Sequence, residues 1–320
     1  MRLAILALDG VFDTGLTVVL DALTTANELS GLTAVGAPPF DLSIVGRGPQ
    51  VRSALGFGVP VQTMSEVSRP DWIVVPALNA KTPDLLVPAL GRPDIAAAAA
   101  QLRAWHGEGS GIAAACIGTF VLAESGLLAG REATTTWWLA PLFRQRYPTV
   151  RLDETRMLIP NGDIVTAGAA MGHLDLTLWL IRQASPELAS LVARYLLVDR
   201  RSSQAQYIIP DHMAHADPLI ERFERWARGR LTSGFSLQDA AAALAVGART
   251  LQRRTEAVLG KSPLAYFQDL RIERAQHLIR TGLDLEAIAA EVGYADGATL
   301  RTLLRRRLGR GVRELRADWD

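Results

Sequence analysis

The feature that most constrains this chain is an internal repeat near its C-terminal end. Leu237, Ala240 and Ala241 precede Leu285, Ile288 and Ala289 by 48 residues, and Leu251, Arg253, Gly260 and Tyr266 precede Leu300, Thr302, Gly309 and Leu315 by 49. The change of offset puts one extra residue in the second unit's turn. In that unit Leu285, Ile288, Ala289 and Val292 form an apolar stripe at helical spacing, and Gly293-Tyr294-Ala295-Asp296 supplies a tight turn. A second helix of basic character follows each turn, expected at Ala248–Leu259 and Gly297–Leu308. Two helix-turn-helix units in tandem are the reading.

Charge supports a special role for this region. The whole chain of 320 residues is nearly balanced at a formal net charge of +1. The last hundred residues, however, hold 18 basic against 13 acidic side chains, whereas the first 220 hold 16 against 20. A helix packed beneath a turn and a basic second helix can lay side chains into a DNA major groove. In the first unit Arg249, Thr250, Gln252 and Arg253 are placed to reach base edges, and Arg254 and Lys261 suit phosphates. In the second unit the exposed set is Thr299, Arg301, Thr302 and Arg305. Any one of these arginines fits a solvated helix face equally well; the repeated arrangement is what argues for DNA. An excess of five positive charges is modest, so specific affinity is expected to need dimerisation through the first domain.

Three segments make a resemblance specific: Arg249-Thr250-Leu251-Gln252-Arg253-Arg254, Gly260-Lys261-Ser262-Pro263-Leu264-Ala265-Tyr266 and Leu270-Arg271-Ile272-Glu273-Arg274-Ala275. Over about 219–316 the chain resembles the AraC/XylS regulator domain, which implies double-stranded DNA as partner. It departs from that pattern at Thr255, Leu300, Thr302, Leu304 and Gly311-Val312.

The first part of the chain reads differently. Short apolar runs at Arg2–Ala7, Phe40–Val45, Trp72–Val75 and Ile112–Ala115 alternate with helical spacing at Leu16–Leu29, Ile95–Trp105 and Thr119–Ser125. Such alternation predicts an α/β domain with a doubly wound parallel sheet covered on both faces. Pro160-Asn161-Gly162-Asp163 marks a turn between two further strands, and Leu174–Gln183 and Leu188–Val198 read as amphipathic helices. Domains are therefore expected at 1–199 and 218–320, joined by a connector over 200–217. The apolar run Leu3–Leu8 ends at Asp9, too short for a signal-peptide core or a membrane span, so the expected location is cytoplasmic with no membrane partner. With Cys116 as the single cysteine, neither an intrachain disulfide nor a cysteine-cluster zinc site can form.

Cys116 itself stands where Gly111-Ile112-Ala113-Ala114-Ala115 runs from a strand through a sharp turn into a helix, the layout of a nucleophile elbow. Exposure at the sheet edge and a helix N-terminus would favour its thiolate. Burial as a small apolar filler is the alternative. The run Ala115-Cys116-Ile117-Gly118-Thr119-Phe120-Val121-Leu122-Ala123-Glu124-Ser125-Gly126-Leu127-Leu128-Ala129-Gly130-Arg131 resembles the ThiJ/PfpI superfamily, and with Pro70–Pro76, Thr134–Trp138 and Val165–Gly168 it is similar to GlxA-like regulators. The resemblance implies a flavodoxin-like sheet, an all-α domain with two helix-turn-helix units behind it, and a ligand-responsive transcription regulator. It also implies a nitrogen-containing metabolite as effector.

Compared with hydrolytic relatives, Ile117 stands where a histidine follows the cysteine, and Thr136 stands where the regulator pattern has another. A Cys–His dyad of the usual kind cannot form, so no enzyme is expected and no cofactor is implied. Asp13 is either an acid facing Cys116 or a cap for the helix after it. The expected ligand cleft is walled by Asp13, Thr14, Ala77, Leu78, Asn79, Cys116, Ile117, Thr136, Trp137 and Trp138, with a tryptophan stacking on a planar or cationic ligand unless both serve core packing. The rival readings are a Cys116-dependent hydratase or hydrolase and a thiol redox sensor. His212 and His215 have metal-like spacing in the connector but lack a carboxylate cluster beyond Asp211 and Asp217, and His106, His173 and His277 are scattered. No metal site is expected.

Overall fold

The computed structural model describes residues 1–31, 40–199, 201, 203–209, 217–308 and 311–317. His212, His215 and Asp211 of the connector, and Gly309 of the repeat, lie outside the described residues. The chain divides into two compact units, 1–139 with 147–204, and 140–146 with 205–320.

The first unit is built on a sheet whose strands follow the apolar runs. Its elements are β1 (Arg2–Leu6), α1 (Asp13–Ser30), β2 (Asp41–Gly46), β3 (Gln50–Arg52), β4 (Gly58–Pro60), β5 (Gln62–Thr63), β6 (Trp72–Val75), α2 (Pro83–Leu90), α3 (Pro93–Gly107), β7 (Gly111–Ala115) and α4 (Gly118–Glu124). Then come β8 (Glu132–Ala133), a 3-10 turn at Trp137–Leu139, α5 (Ala140–Arg146, grouped with the second unit), β9 (Arg151–Leu152), β10 (Leu158–Asn161), β11 (Ile164–Ala167), α6 (Gly172–Ala184) and α7 (Pro186–Tyr195). Seven strands run in the order β10-β11-β7-β6-β1-β2-β5, all parallel except β10, which pairs antiparallel with β11 across the Gly162 turn. The sheet is thus mostly parallel with one antiparallel edge. Strands β6 and β7 are apolar without alternation because helices cover both faces. Leu16, Val19, Leu23 and Ala26 of α1 pack with Leu176, Leu180 and Ile181 of α6 and Leu188 and Val192 of α7 over Leu3, Ile5, Val74 and Val165 of the sheet. Each leucine, isoleucine and valine among them contributes about 1.5–3 kcal/mol on burial.

Gln204 explains where the first unit ends. Its buried amide receives the N–H of Ala169 at 2.9 Å and donates to the carbonyl of Thr135 at 2.9 Å, tying residues beyond the expected boundary at Asp199 to the sheet domain. A Cβ on Gly168 would meet the same amide at about 2.4 Å.

The second unit continues with α8 (Pro218–Arg228), α9 (Leu237–Ala243), α10 (Ala248–Leu259), α11 (Pro263–Arg280), α12 (Leu285–Glu291), α13 (Gly297–Leu308) and α14 (Val312–Ala317). Side-chain oxygens of Asp217, Ser236, Ser262 and Asp284 cap α8, α9, α11 and α12, and α10 ends at Gly260 in the left-handed region. The sequence repeat is a structural repeat. In the first turn Ala245 has φ 55° and Val246 N–H donates to Ala241; in the second Gly293 has φ 74° and Tyr294 N–H donates to Ala289. The helix α9, its turn and α10 therefore match α12, its turn and α13. Leu300 and Leu304, two of the departures from the AraC/XylS pattern, are fully buried with Ile288, Ala289 and Val292. Buried Thr255 satisfies its hydroxyl on the Leu251 carbonyl at 2.8 Å.

Candidate functional site

The elbow forms because β7 ends against a neighbour that admits only glycine. A Cβ at Gly118, the first residue of α4, would stand 2.1 Å from the Val75 carbonyl oxygen and 2.8 Å from that of Pro76. The chain therefore turns sharply before it, and Cys116 takes φ 55°, a conformation that costs a side-chain-bearing residue about 1–2 kcal/mol. Surrounding bonds hold it there. Cys116 N–H donates to Ala167 at 3.0 Å, and the Cys116 carbonyl accepts the Thr135 hydroxyl at 2.7 Å.

The thiol differs from expectation. Cys116 is buried rather than exposed, and burial pushes its pKa up to about 12, although the Ile117 backbone, the Thr136 hydroxyl and the charge of Lys81 pull it down. A seven-residue helix does not offset that desolvation. The thiol is protonated at neutral pH. Thr136 and Thr119 are fully buried, and neither hydroxyl has a hydrogen-bond partner of ordinary geometry.

The loops after β1, β6 and β7 meet at the carboxyl edge of the sheet. Phe12 N–H donates to Ala77 at 2.8 Å, Asn79 N–H donates to Gly10 at 2.9 Å, and Val11 bridges Leu78. Ala77, Leu78 and Ile117 are buried, whereas Thr14 and Asn79 are exposed. Asp13 neither caps α1 nor counts among the charges acting on Cys116; its carboxylate accepts Leu55 N–H at 3.0 Å. Trp137 and Trp138 are half-buried and meet edge to face, centroids 5.5 Å apart.

Two residues that sequence reasoning passed over lie near the elbow. Lys81, one of two lysines, carries the charge that acts on Cys116 and lies 5.9 Å from the Phe12 ring centroid. His173 is fully buried behind the loops. Its Nε2 accepts Ala77 N–H at 3.0 Å, its Nδ1 faces the Ala170 carbonyl at 2.6 Å, and desolvation lowers its pKa to about 4. Both ring nitrogens are occupied, so this imidazole is neutral and no base for the thiol. The Ala77 N–H it holds is unavailable as an oxyanion donor. Nothing local in the sequence marks His173; Gly15, whose Cβ would meet the ring at 2.7 Å, is the trace of it.

In the second unit α10 buries Leu251, Thr255 and Leu259 and leaves Arg249, Thr250 and Arg253 exposed, with Gln252 half-buried and bonded to Glu256. The two residues assigned to phosphates have a different occupation. Arg254 pairs with the buried Asp217 at 2.5 Å, and Lys261 pairs with Asp269 at 3.0 Å. On α13, Thr299, Arg301, Thr302 and Arg305 are exposed, and the Thr302 hydroxyl donates to Ala298 at 3.0 Å. The guanidinium of Arg271 lies between the rings of Phe267 (4.8 Å) and Tyr294 (5.2 Å) and donates to Leu231 at 2.8 Å, which pins the second turn. Among the described residues no group of three or more His, Cys, Asp or Glu side chains is placed to hold a metal ion, and no helix is long and apolar enough to cross a membrane.

Comparison with known proteins addresses both units. Residues 240–318 match the family model described as a helix-turn-helix domain. A protein of Streptomyces lividans, uncharacterised and encoded in the cpoL 5' region, is 34% identical over 46% of this chain and 96% of its own length. GbdR of Pseudomonas aeruginosa is 26% identical over 60% of this chain and 54% of its length, and GlxA of Rhizobium meliloti 26% over 59% and 60%. Both are named HTH-type transcriptional regulators. Residues 240–318 belong to the helix-turn-helix domain family, and the chain as a whole is similar to GlxA-like regulators. It spans between half and two thirds of the length of these two curated relatives. The fold is that of Drosophila melanogaster DJ-1beta (TM-score 0.50, 17% identical, 62% of this chain and 98% of that one) and of an AraC family transcriptional regulator from Pseudomonas putida (TM-score 0.50, 22%, 61% and 98%).

Proposed function

We propose that this GlxA-like chain is a ligand-responsive transcription regulator that reads operator DNA through its helix-turn-helix units and senses a small molecule in the elbow cleft. The observation that carries the first half is α10, a helix set on a turn with Arg249, Thr250 and Arg253 exposed on its outer face and its inner face buried. The arginines and Gln252 have the fork and amide geometries that read guanine and adenine edges. The naming of GbdR and GlxA as transcriptional regulators supports the same reading.

For the second half, the elbow lies at the carboxyl edge of a parallel sheet, where such sheets bind small molecules, and the buried hydroxyls of Thr119 and Thr136 are groups that a polar ligand would satisfy. A nitrogen-containing metabolite is the effector class we favour, with Trp137 and Trp138 at hand for a cationic or planar group. A buried neutral thiol without an imidazole base argues against a Cys116-dependent hydrolase and against a redox sensor. Ligand binding would bias the arrangement of two reader units in a homodimer joined through the first domain, and only by its differential affinity for two states. Such a protein would work where the DNA is, in the cytoplasm.

The experiment is a footprint by the full chain on DNA upstream of its own operon, with and without a panel of small amines and amino acids that thermal-shift screening shows to bind. Protection of a discrete site, altered by a binding ligand, is expected. No sequence-specific protection under any ligand or salt condition would end the reading.

A further inference from the structure

The two helix-turn-helix units share element order and turn geometry, yet their second helices do not present the same chemistry. The 49-residue offset carries Arg249, Gln252 and Arg253 of α10 onto Ala298, Arg301 and Thr302 of α13. Side chains that read a base edge bidentately are chiefly Arg, Asn and Gln. Of the three corresponding positions on α13 only Arg301 qualifies, and the Thr302 hydroxyl is committed to the Ala298 carbonyl at 3.0 Å.

Beside these positions the second unit has something the sequence did not disclose. A recess of about 780 Å³ opens between the start of α12, the outer face of α13 and the start of α14, and Arg301, Arg305 and Arg313 line it. Arg301 and Arg305, four residues apart, share a face of α13, and Arg313 comes from α14. All three are exposed, and among the described residues none has an ion-pair or hydrogen-bond partner. Two other cations of this unit are paired, Arg274 with Glu291 at 3.6 Å and Arg307 with Asp269 at 3.2 Å. The recess also holds two carboxylates, and both serve the backbone. Asp284 accepts the N–H groups of Glu286 and Ala287, and Glu314 accepts that of Gly311 at 2.7 Å. Three guanidinium groups against two such carboxylates leave an open site with positive charge in excess and fifteen donors without an acceptor. Its match is a group with negative charge and several acceptor oxygens on a continuous strand.

We propose that the second unit grips the DNA backbone, with Arg301, Arg305 and Arg313 on phosphodiester oxygens, and that base sequence is read by α10 alone. The assignment rests on the DNA reading above and adds to it the class of contact that each unit makes. Phosphate contacts position a protein without carrying sequence information, whereas base contacts discriminate. One helix sets specificity, and the other sets strength and salt dependence.

Selection of random duplexes by the full chain, followed by titration of variants, tests this. Enriched duplexes should share one block of fixed bases, repeated if the chain binds as a dimer. Arg301→Ala, Arg305→Ala and Arg313→Ala should each weaken binding by the same factor on an enriched and on a scrambled duplex, and each should reduce the slope of log K against log salt by about 0.9. Arg313→Lys should keep the slope, which separates charge from folding. A second, unlike block one helical turn (about 10 bp) from the first, or a changed base preference in Arg301→Ala, would overturn the assignment while leaving the DNA reading intact. Failure of the wild-type chain to enrich any sequence would remove the DNA reading and this assignment with it.

Discussion

Burial decides what Cys116 and His173 can do. An elbow cysteine at a helix start invites the expectation of a reactive thiolate, but the thiol is enclosed and its pKa rises to about 12. At pH 8 its thiolate fraction falls about 10³-fold below that of a cysteine in an unfolded chain, so alkylation of the native protein should be slower by a comparable factor. Mass spectrometry of iodoacetamide-treated chain measures it; labelling as fast in the native as in the denatured protein would contradict the burial. His173 is the complementary case. The folded state holds its proton less tightly than the unfolded chain, with a pKa near 4 against an ordinary 6.5. The stability it contributes is present at neutral pH and lost as pH falls from about 6.5 through about 4, by about 3 kcal/mol in all. Urea unfolding across that range should show the decline, and His173→Gln, which keeps an acceptor for Ala77 but does not titrate, should flatten it.

At the scale of elements, the two turns of the repeat make a matched experiment. Ala245 and Gly293 occupy equivalent left-handed positions, at φ 55° and 74°. Ala245→Gly removes left-handed strain and should stabilise the second unit by about 1 kcal/mol, less the flexibility that glycine adds to the unfolded chain. Gly293→Ala should destabilise it by more, because its Cβ would stand 2.4 Å from both the Leu231 carbonyl and the Arg271 guanidinium. Denaturant midpoints of the two variants check the opposite signs.

The same scale shows what was legible in the sequence. Trp72–Val75 reads as a strand and is one, because four apolar residues between turn formers have no other use in a covered sheet. The turn at Gly162 and the repeat at 237–308 were equally plain. Helix α2 was not, since Pro88 interrupts it and its apolar content hides any face. Nor was the β3–β4 hairpin, whose three-residue strands are too short for a period. In the cleft, the residues flanking Cys116 could be read from the elbow pattern. Lys81 and His173 could not, because only the fold brings residue 81 toward Cys116 and residue 173 behind the loops after β1 and β6. Likewise Arg254 and Lys261 look like phosphate ligands in sequence, and only the structure shows Asp217 and Asp269 beside them.

For the molecule as a whole, the formal charge of +1 averages an acidic first part with a basic reader. Within the second unit Arg228, Arg254, Lys261 and Arg307 are tied to carboxylates, whereas Arg249 and Arg253 of α10 and the arginines of the α12–α14 recess are exposed with no ion pair among the described residues. Affinity should therefore depend strongly on salt, and specificity on few side chains.

The most direct measurement compares the wild-type chain and Arg253→Ala on an enriched duplex and its scrambled counterpart at one salt concentration. The wild type should prefer the enriched duplex by about 10³-fold or more. Arg253→Ala should cut that preference by about 5- to 150-fold while its affinity for scrambled DNA changes little. Equal binding of both duplexes by the wild type, or an equal loss on both in the variant, would contradict sequence reading by α10.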